Sequence, residues 1–147
     1  MVLLEPPSHT SNLARCTRPH PTAYSRGMDS DSGRTRIAVL IDADNTSPRY
    51  AEALLDELAT YGTPTIKRAY GDFSTPQLQG WTKVLNARAI RAIQASAFTA
   101  GKNSSDSALI IDAMDLLHGG QVDGFCLVTS DSDFTRLAMR LREENMY

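Results

Sequence analysis

Five aspartates stand where a folded chain would gather them. Asp42 and Asp44 follow the apolar run 37–41, Asp131 and Asp133 follow the run 124–128, and Asp106 opens a helical segment. Each run reads as a buried strand that ends on carboxylates. In an open parallel α/β sheet, chemistry sits at the carboxyl ends of the strands. Carboxylates pressed together repel, and a divalent cation with oxygen ligands relieves the repulsion. The pattern therefore points to bound Mg2+ or Mn2+. Zinc is not expected, because the three histidines do not cluster.

Each aspartate alone also has a structural reading. Asp44 or Asn45 can cap the helix that Ser47-Pro48 starts, Asp106 can complement a helix dipole, and Ser132 or Asp133 can cap the helix that follows. Capping accounts for neither Asp42 nor Asp131, and it does not explain the coincidence at three strand and helix ends. Asp106 lies three residues before Leu109, on the inward stripe of its helix, and Asp112 sits further round as a supporting group. Bases are few. Lys102 precedes the Asp106 helix and could meet a phosphate. Arg68 lies on a strand, where it guides a phosphate backbone or pairs with an acid. Among the aromatics, Tyr70 is expected in the core, while Phe73 and Trp81 are open to stacking on bases.

The elements that must position these groups alternate. Strands are expected over 36–41, 65–70, 89–93 and 124–128, with helices over 47–61, 76–86, 105–118 and 132–143. The inward stripes are Tyr50, Leu54, Leu55 and Leu58 in the first helix. The third uses Leu109, Ile110, Ala113, Met114 and Leu117, and the fourth Phe134, Leu137, Ala138 and Leu141. This order implies α/β architecture, with a central parallel sheet of four strands and helices on both faces. A fifth strand is expected after residue 144 and is missing.

With 147 residues, the chain has room for one domain and a tail. Residues 1–34, rich in Ser, Thr, Pro and Arg without apolar period, read as a disordered tail, and 35–147 as the domain. The tail region is basic. Residues 37–147 carry ten Lys and Arg against fourteen Asp and Glu, a poor balance for nonspecific nucleic-acid binding. No stretch has the roughly 20 apolar residues that span a bilayer. Two cysteines, Cys16 and Cys126, make no disulfide framework, so a reducing, cytoplasmic setting is expected.

Taken together, Asp42-Ala43-Asp44-Asn45, Arg68-Ala69-Tyr70-Gly71-Asp72, Lys102-Asn103-Ser104-Ser105-Asp106 and Thr129-Ser130-Asp131-Ser132-Asp133-Phe134 resemble the NYN domain, specifically its LabA-like bacterial branch. NYN domains are similar to PIN-domain nucleases. The resemblance implies a PIN-like three-layer sandwich and metal-dependent cleavage of RNA, most simply single-stranded, with a homodimer left open. It implies that Asp42, Asp106, Asp131 and Asp133 are the catalytic and metal-binding acids. Asn45, Lys102, Asn103, Arg68 and Ser130 would contact substrate, with Asp44 and Asp112 behind them. Such domains usually continue into a further strand and helix, so 35–147 is expected to be C-terminally truncated.

Two other readings compete. Asp42-Ala43-Asp44-Asn45-Thr46 fits the first motif of haloacid dehalogenase-type phosphatases, in which Asp42 would be the nucleophile. Those enzymes need a hairpin flap after the first strand, where Ser47-Pro48 instead begins a helix. The third reading is a non-catalytic RNA-binding or regulatory module that keeps the acids.

Overall fold

A computed structural model describes residues 34–95 and 104–146. Four strands, β1 (Arg36–Asp42), β2 (Thr63–Gly71), β3 (Arg91–Gln94) and β4 (Gly124–Val128), pair in the order β3-β2-β1-β4, and every pairing is parallel. Four helices join them: α1 (Pro48–Leu58), α2 (Trp81–Ala87), α3 (Ser104–Gly119) and α4 (Thr135–Glu143). This is the expected α/β sandwich. Single 3₁₀ turns at Pro76–Leu78 and Ser132–Phe134 begin what the sequence suggested as the second and fourth helices.

β1 organises the sheet because both of its faces are apolar. Its residues 37–41 are almost wholly buried. Ile37, Val39 and Ile41 enter one core with Ala51, Leu54, Leu55 and Leu58 of α1 and Trp81 and Val84 of α2. Ala38 and Leu40 enter a second core with Leu109, Ala113 and Leu117 of α3 and Leu137 and Leu141 of α4. Strand alternation thus assigns each helix pair a face. By the same alternation Asp42 falls on the α3 side. The chain runs from β1 outward to β2 and β3, then crosses back to β4 on the other flank of β1. The order reverses between β1 and β4, and such a reversal opens a crevice at the carboxyl ends of the strands.

At the opposite end, Arg36 grips Asp123 through Nε (3.0 Å) and Nη2 (2.8 Å), and Asp123 N donates to Arg36 O at 2.8 Å. These contacts fix where β4 starts beside β1. α3 ends where Gly120 takes φ +61, a left-handed conformation suited to glycine.

Several expected inward residues lie elsewhere. Ile110 is 39% exposed, and Leu116 takes its place in the α3 stripe. Tyr50 is 73% exposed. It sits about 90° round α1 from the centre of the buried stripe, at 100° per residue. Trp81 is fully buried, so it is closed to base stacking. Phe73 is partly buried against the α1–α2 core. Tyr70 is a core residue, as expected, and its hydroxyl donates to Asp112 at 2.5 Å. Cys126 is buried and unpaired.

Asp112 also holds Arg68 Nη1 at 2.6 Å, so one carboxylate ties α3 to β2 through two partners. Asp112→Ala leaves both partly buried donors unmatched. Urea unfolding is expected to show a loss of roughly 1–3 kcal/mol. Tyr70→Phe should cost less, and the two losses should not add.

Candidate active site at the carboxyl ends of β1 and β4

Asp42, the last residue of β1, is 1% exposed. A buried carboxylate is costly unless its oxygens are hydrogen-bonded. Oδ2 accepts from Asn45 Nδ2 (2.9 Å) and Thr129 Oγ1 (2.8 Å), and Oδ1 from Asn45 N (3.3 Å). Thr129, itself 5% exposed, follows β4. Its Oγ1 also accepts from Asp131 N at 3.0 Å. One hydroxyl therefore connects the two acidic loops. Two further bonds tie the loops together: Ser130 Oγ donates to Asn45 O (2.7 Å), and Thr46 Oγ1 donates to Val128 O (3.3 Å).

Asp131 caps the 3₁₀ turn that follows, its Oδ1 accepting from Asp133 N at 2.9 Å. The cap is thus Asp131 rather than Ser132 or Asp133. Ser47 stands at the N-cap position of α1, but its side chain makes no capping bond. Asn45 has turned to Asp42 instead. Asp44 is exposed, and its Oδ1 would lie 3.0 Å from a Cβ built on Gly71. The bare glycine at the end of β2 leaves that carboxylate its place.

Asp106 comes from α3, on the same side of the helix as its buried stripe and half-buried. Its pKa is raised, first by burial, then by the charges of Asp42, Asp131, Asp44 and Asp133 in turn. Acids from three separate segments thus act on one another. The donors are all oxygen, the chemistry preferred by a hard cation such as Mg2+. Among the described residues, however, no three acids stand close enough together to ligate one ion. The acids share an electrostatic field, not a formed ligand shell.

The remaining expected contacts divide. Asn45 and Ser130 lie in the site. Arg68 is engaged by Asp112 on the α3 face, with Tyr70 beside it, and Asp112 serves that pairing. Lys102 and Asn103 lie outside the described residues. Sequence reasoning quoted Thr129 in its motif but gave it no role, although the 125, 127, 129 alternation of a buried strand puts it on Asp42's face. It also passed over Arg49 and Arg136. Both are exposed in the first turns of α1 and α4, and neither forms an ion pair among the described residues.

Comparison with known proteins adds the following. Residues 36–147 match the NYN domain family. A crystal structure of a protein of unknown function from Vibrio parahaemolyticus superposes with a TM-score of 0.60 at 21% identity, over 81% of each chain. That likeness bears on the fold alone. No curated protein matches the chain significantly.

The raised Asp106 pKa has a consequence for stability. The penalty on its charged form is absent below the unfolded pKa and sets in as pH rises through the folded one. In chelator at neutral pH, Asp106→Asn is expected to melt above the wild type, and the difference should vanish in acid. Added Mn2+ should raise the wild-type Tm more than the variant's, as a ligand specific to the native state does. Scanning calorimetry reads both effects, and a variant melting at or below wild type at neutral pH would refute them.

Proposed function

From the premise that this chain belongs to the NYN domain family, within the PIN-like nuclease superfamily, we propose that it is a metal-dependent ribonuclease that hydrolyses phosphodiester bonds of single-stranded RNA. The observation that carries the reading is the joining of the Asp42 and Asp131 loops through Thr129 Oγ1, with Asp106 of α3 near enough for their charges to raise its pKa. Asp42, Asp106, Asp131 and Asp133 would hold Mg2+ or Mn2+. Bound there, the cation supplies Lewis acidity against the charge that develops on the phosphate.

The chain's own groups divide the remaining work. Asp42 is an anchor, because both of its oxygens already accept hydrogen bonds. Thr129 and Asn45 hold it, and Thr129 also sets the start of the Asp131 loop. The exposed Asp44 and Asp133 orient the attacking water. Arg49 and Arg136 draw phosphates to an otherwise acidic edge, as guanidinium groups do. Ser130 and Asn45 line the substrate's approach, and the family resemblance assigns Lys102 and Asn103 to substrate as well.

The chain path after β1 weighs against the phosphatase reading. Asp42-Ala43-Asp44-Asn45-Thr46 runs straight to Ser47, the N-cap position of α1. Five residues separate Asp42 from α1, too few for a hairpin flap.

Single-stranded RNA incubated with Mn2+, Mg2+ or chelator tests the proposal. Cleavage is expected only with metal. Asp131→Asn and Asp106→Asn should lower it by roughly 100-fold or more, the scale of losing one charge-stabilising group at a transition state, with circular dichroism unchanged. Full Mn2+-dependent activity in both variants excludes the site. RNA binding without cleavage by the wild type would instead mark a non-catalytic module.

A further inference from the structure

Beside the acidic loops lies a cavity of about 530 Å³. Its walls include Asn45, Tyr50, Ala53, Leu54, Val128 and Ser130. Leu54 and Val128 belong to the α1–α2 core, so the cavity lies on the sheet face opposite α3. We propose that it accepts one unpaired nucleobase of the RNA, stacked on Tyr50, while the adjoining phosphate meets the carboxylates. The proposal rests on the ribonuclease reading and gives that site a base-binding subsite.

Four observations converge. First, Asn45, Thr129 and Ser130 line the cavity and also build the loops that carry Asp42 and Asp131. A ligand in the cavity therefore touches the candidate active site. Second, Tyr50 is 73% exposed, whereas Ala51, Leu54, Leu55 and Leu58 of the same helix are buried. The ring stands at the wall with its surface bare, as stacking on a base requires, and any base offers a π-face. Third, the lining offers two kinds of contact. Ser47, whose hydroxyl caps nothing, lines the cavity together with Ser130, and Glu57 lines it nearly three turns farther along α1. Ser47 and Ser130 can serve the donors and acceptors on a base edge, while Ala53, Leu54 and Val128 take its flat surface. Fourth, the size suits a base with part of its ribose, within the range of small-molecule sites. A nucleotide carries its base and phosphate on different sides of one sugar. The top of the sheet separates the cavity from Asp42 and Asp106 in the same manner.

The competing occupant is a second copy of the chain. Among the described residues β4 is an edge strand, and its five residues include neither charge nor proline, so pairing with another strand is the alternative to weigh. Strand pairing, however, makes no use of Ser47 or the bare face of Tyr50.

Methyl-resolved NMR of the full chain in chelator, titrated with single-stranded oligouridylate or oligoadenylate hexamers, separates these readings. The methyl signals of Ala53, Leu54 and Val128 are expected to shift on titration. Tyr50→Ala should weaken binding by roughly 10- to 100-fold, the scale of one lost base stack, and Tyr50→Phe should restore it. The proposal is overturned if neither hexamer moves these methyls. It is equally overturned if they follow protein concentration instead, which assigns the cavity to a second copy. Chelator prevents metal-dependent cleavage, so the two readings fail separately. RNA cleavage without these shifts sinks the base pocket alone, and shifts without any cleavage when Mn2+ is restored sink the nuclease alone.

Discussion

A carboxylate sealed inside the molecule sets the terms for everything around it. Asp42 has almost no access to water, and in a low-dielectric surrounding a charged group without partners costs several kcal/mol. Its partners come from its own loop, through Asn45, and from the neighbouring strand's exit, through Thr129. The second contact exists only because β4 lies directly against β1. The reversal of strand order is therefore more than a topological label. It brings a hydroxyl to a buried acid, and the same hydroxyl orders the backbone at Asp131. Sheet order, loop conformation and the positions of two acids are one problem with one solution.

α3 solves a second problem, delivering an acid from a distant part of the chain. Leu109, Ala113, Leu116 and Leu117 fix its roll against the sheet, and the Asp112 pairing with Arg68 and Tyr70 fixes it against β2. With roll and position set, Asp106 near its N-terminus has little choice of direction. The result is unfavourable for Asp106 itself, whose charged form is penalised by burial and by four like charges. Repulsion of this kind between like charges is what raises a carboxyl pKa, and such perturbed acids gather at functional sites.

Much of this was legible in the residues, for identifiable reasons. β4 could be bounded correctly because apolar side chains fill both of its faces and glycine and small polar residues end it. Asp42 and Asp131 could be placed because strand ends dictate where side chains emerge. Helix roll was harder to read. Tyr50 and Ile110 are apolar, and sequence period alone drew them inward. Each sits a quarter-turn or so from the true stripe, where Ala51 and Leu116 do the packing. Capping offered several candidates: Asn45 was one of them for α1, but its side chain serves Asp42 three residues before it, whose burial at the end of β1 creates the demand. The role of Arg68 depended on which acid α3 would bring to β2, and Thr129 acquired its role only through a neighbour 87 residues away.

The pairing of β1 with β4 has one last consequence. Ile41 lies opposite Val128, and the two acidic loops leave the sheet at adjacent strands. Neighbouring strands are separated by about 4.8 Å whatever side chains they carry. The spacing between the loop origins is thus a property of peptide hydrogen bonding, a gauge that side-chain replacement does not alter. Changes among the acids can retune the charge of the edge while the gauge stays fixed, which makes it a tolerant place for selection to experiment.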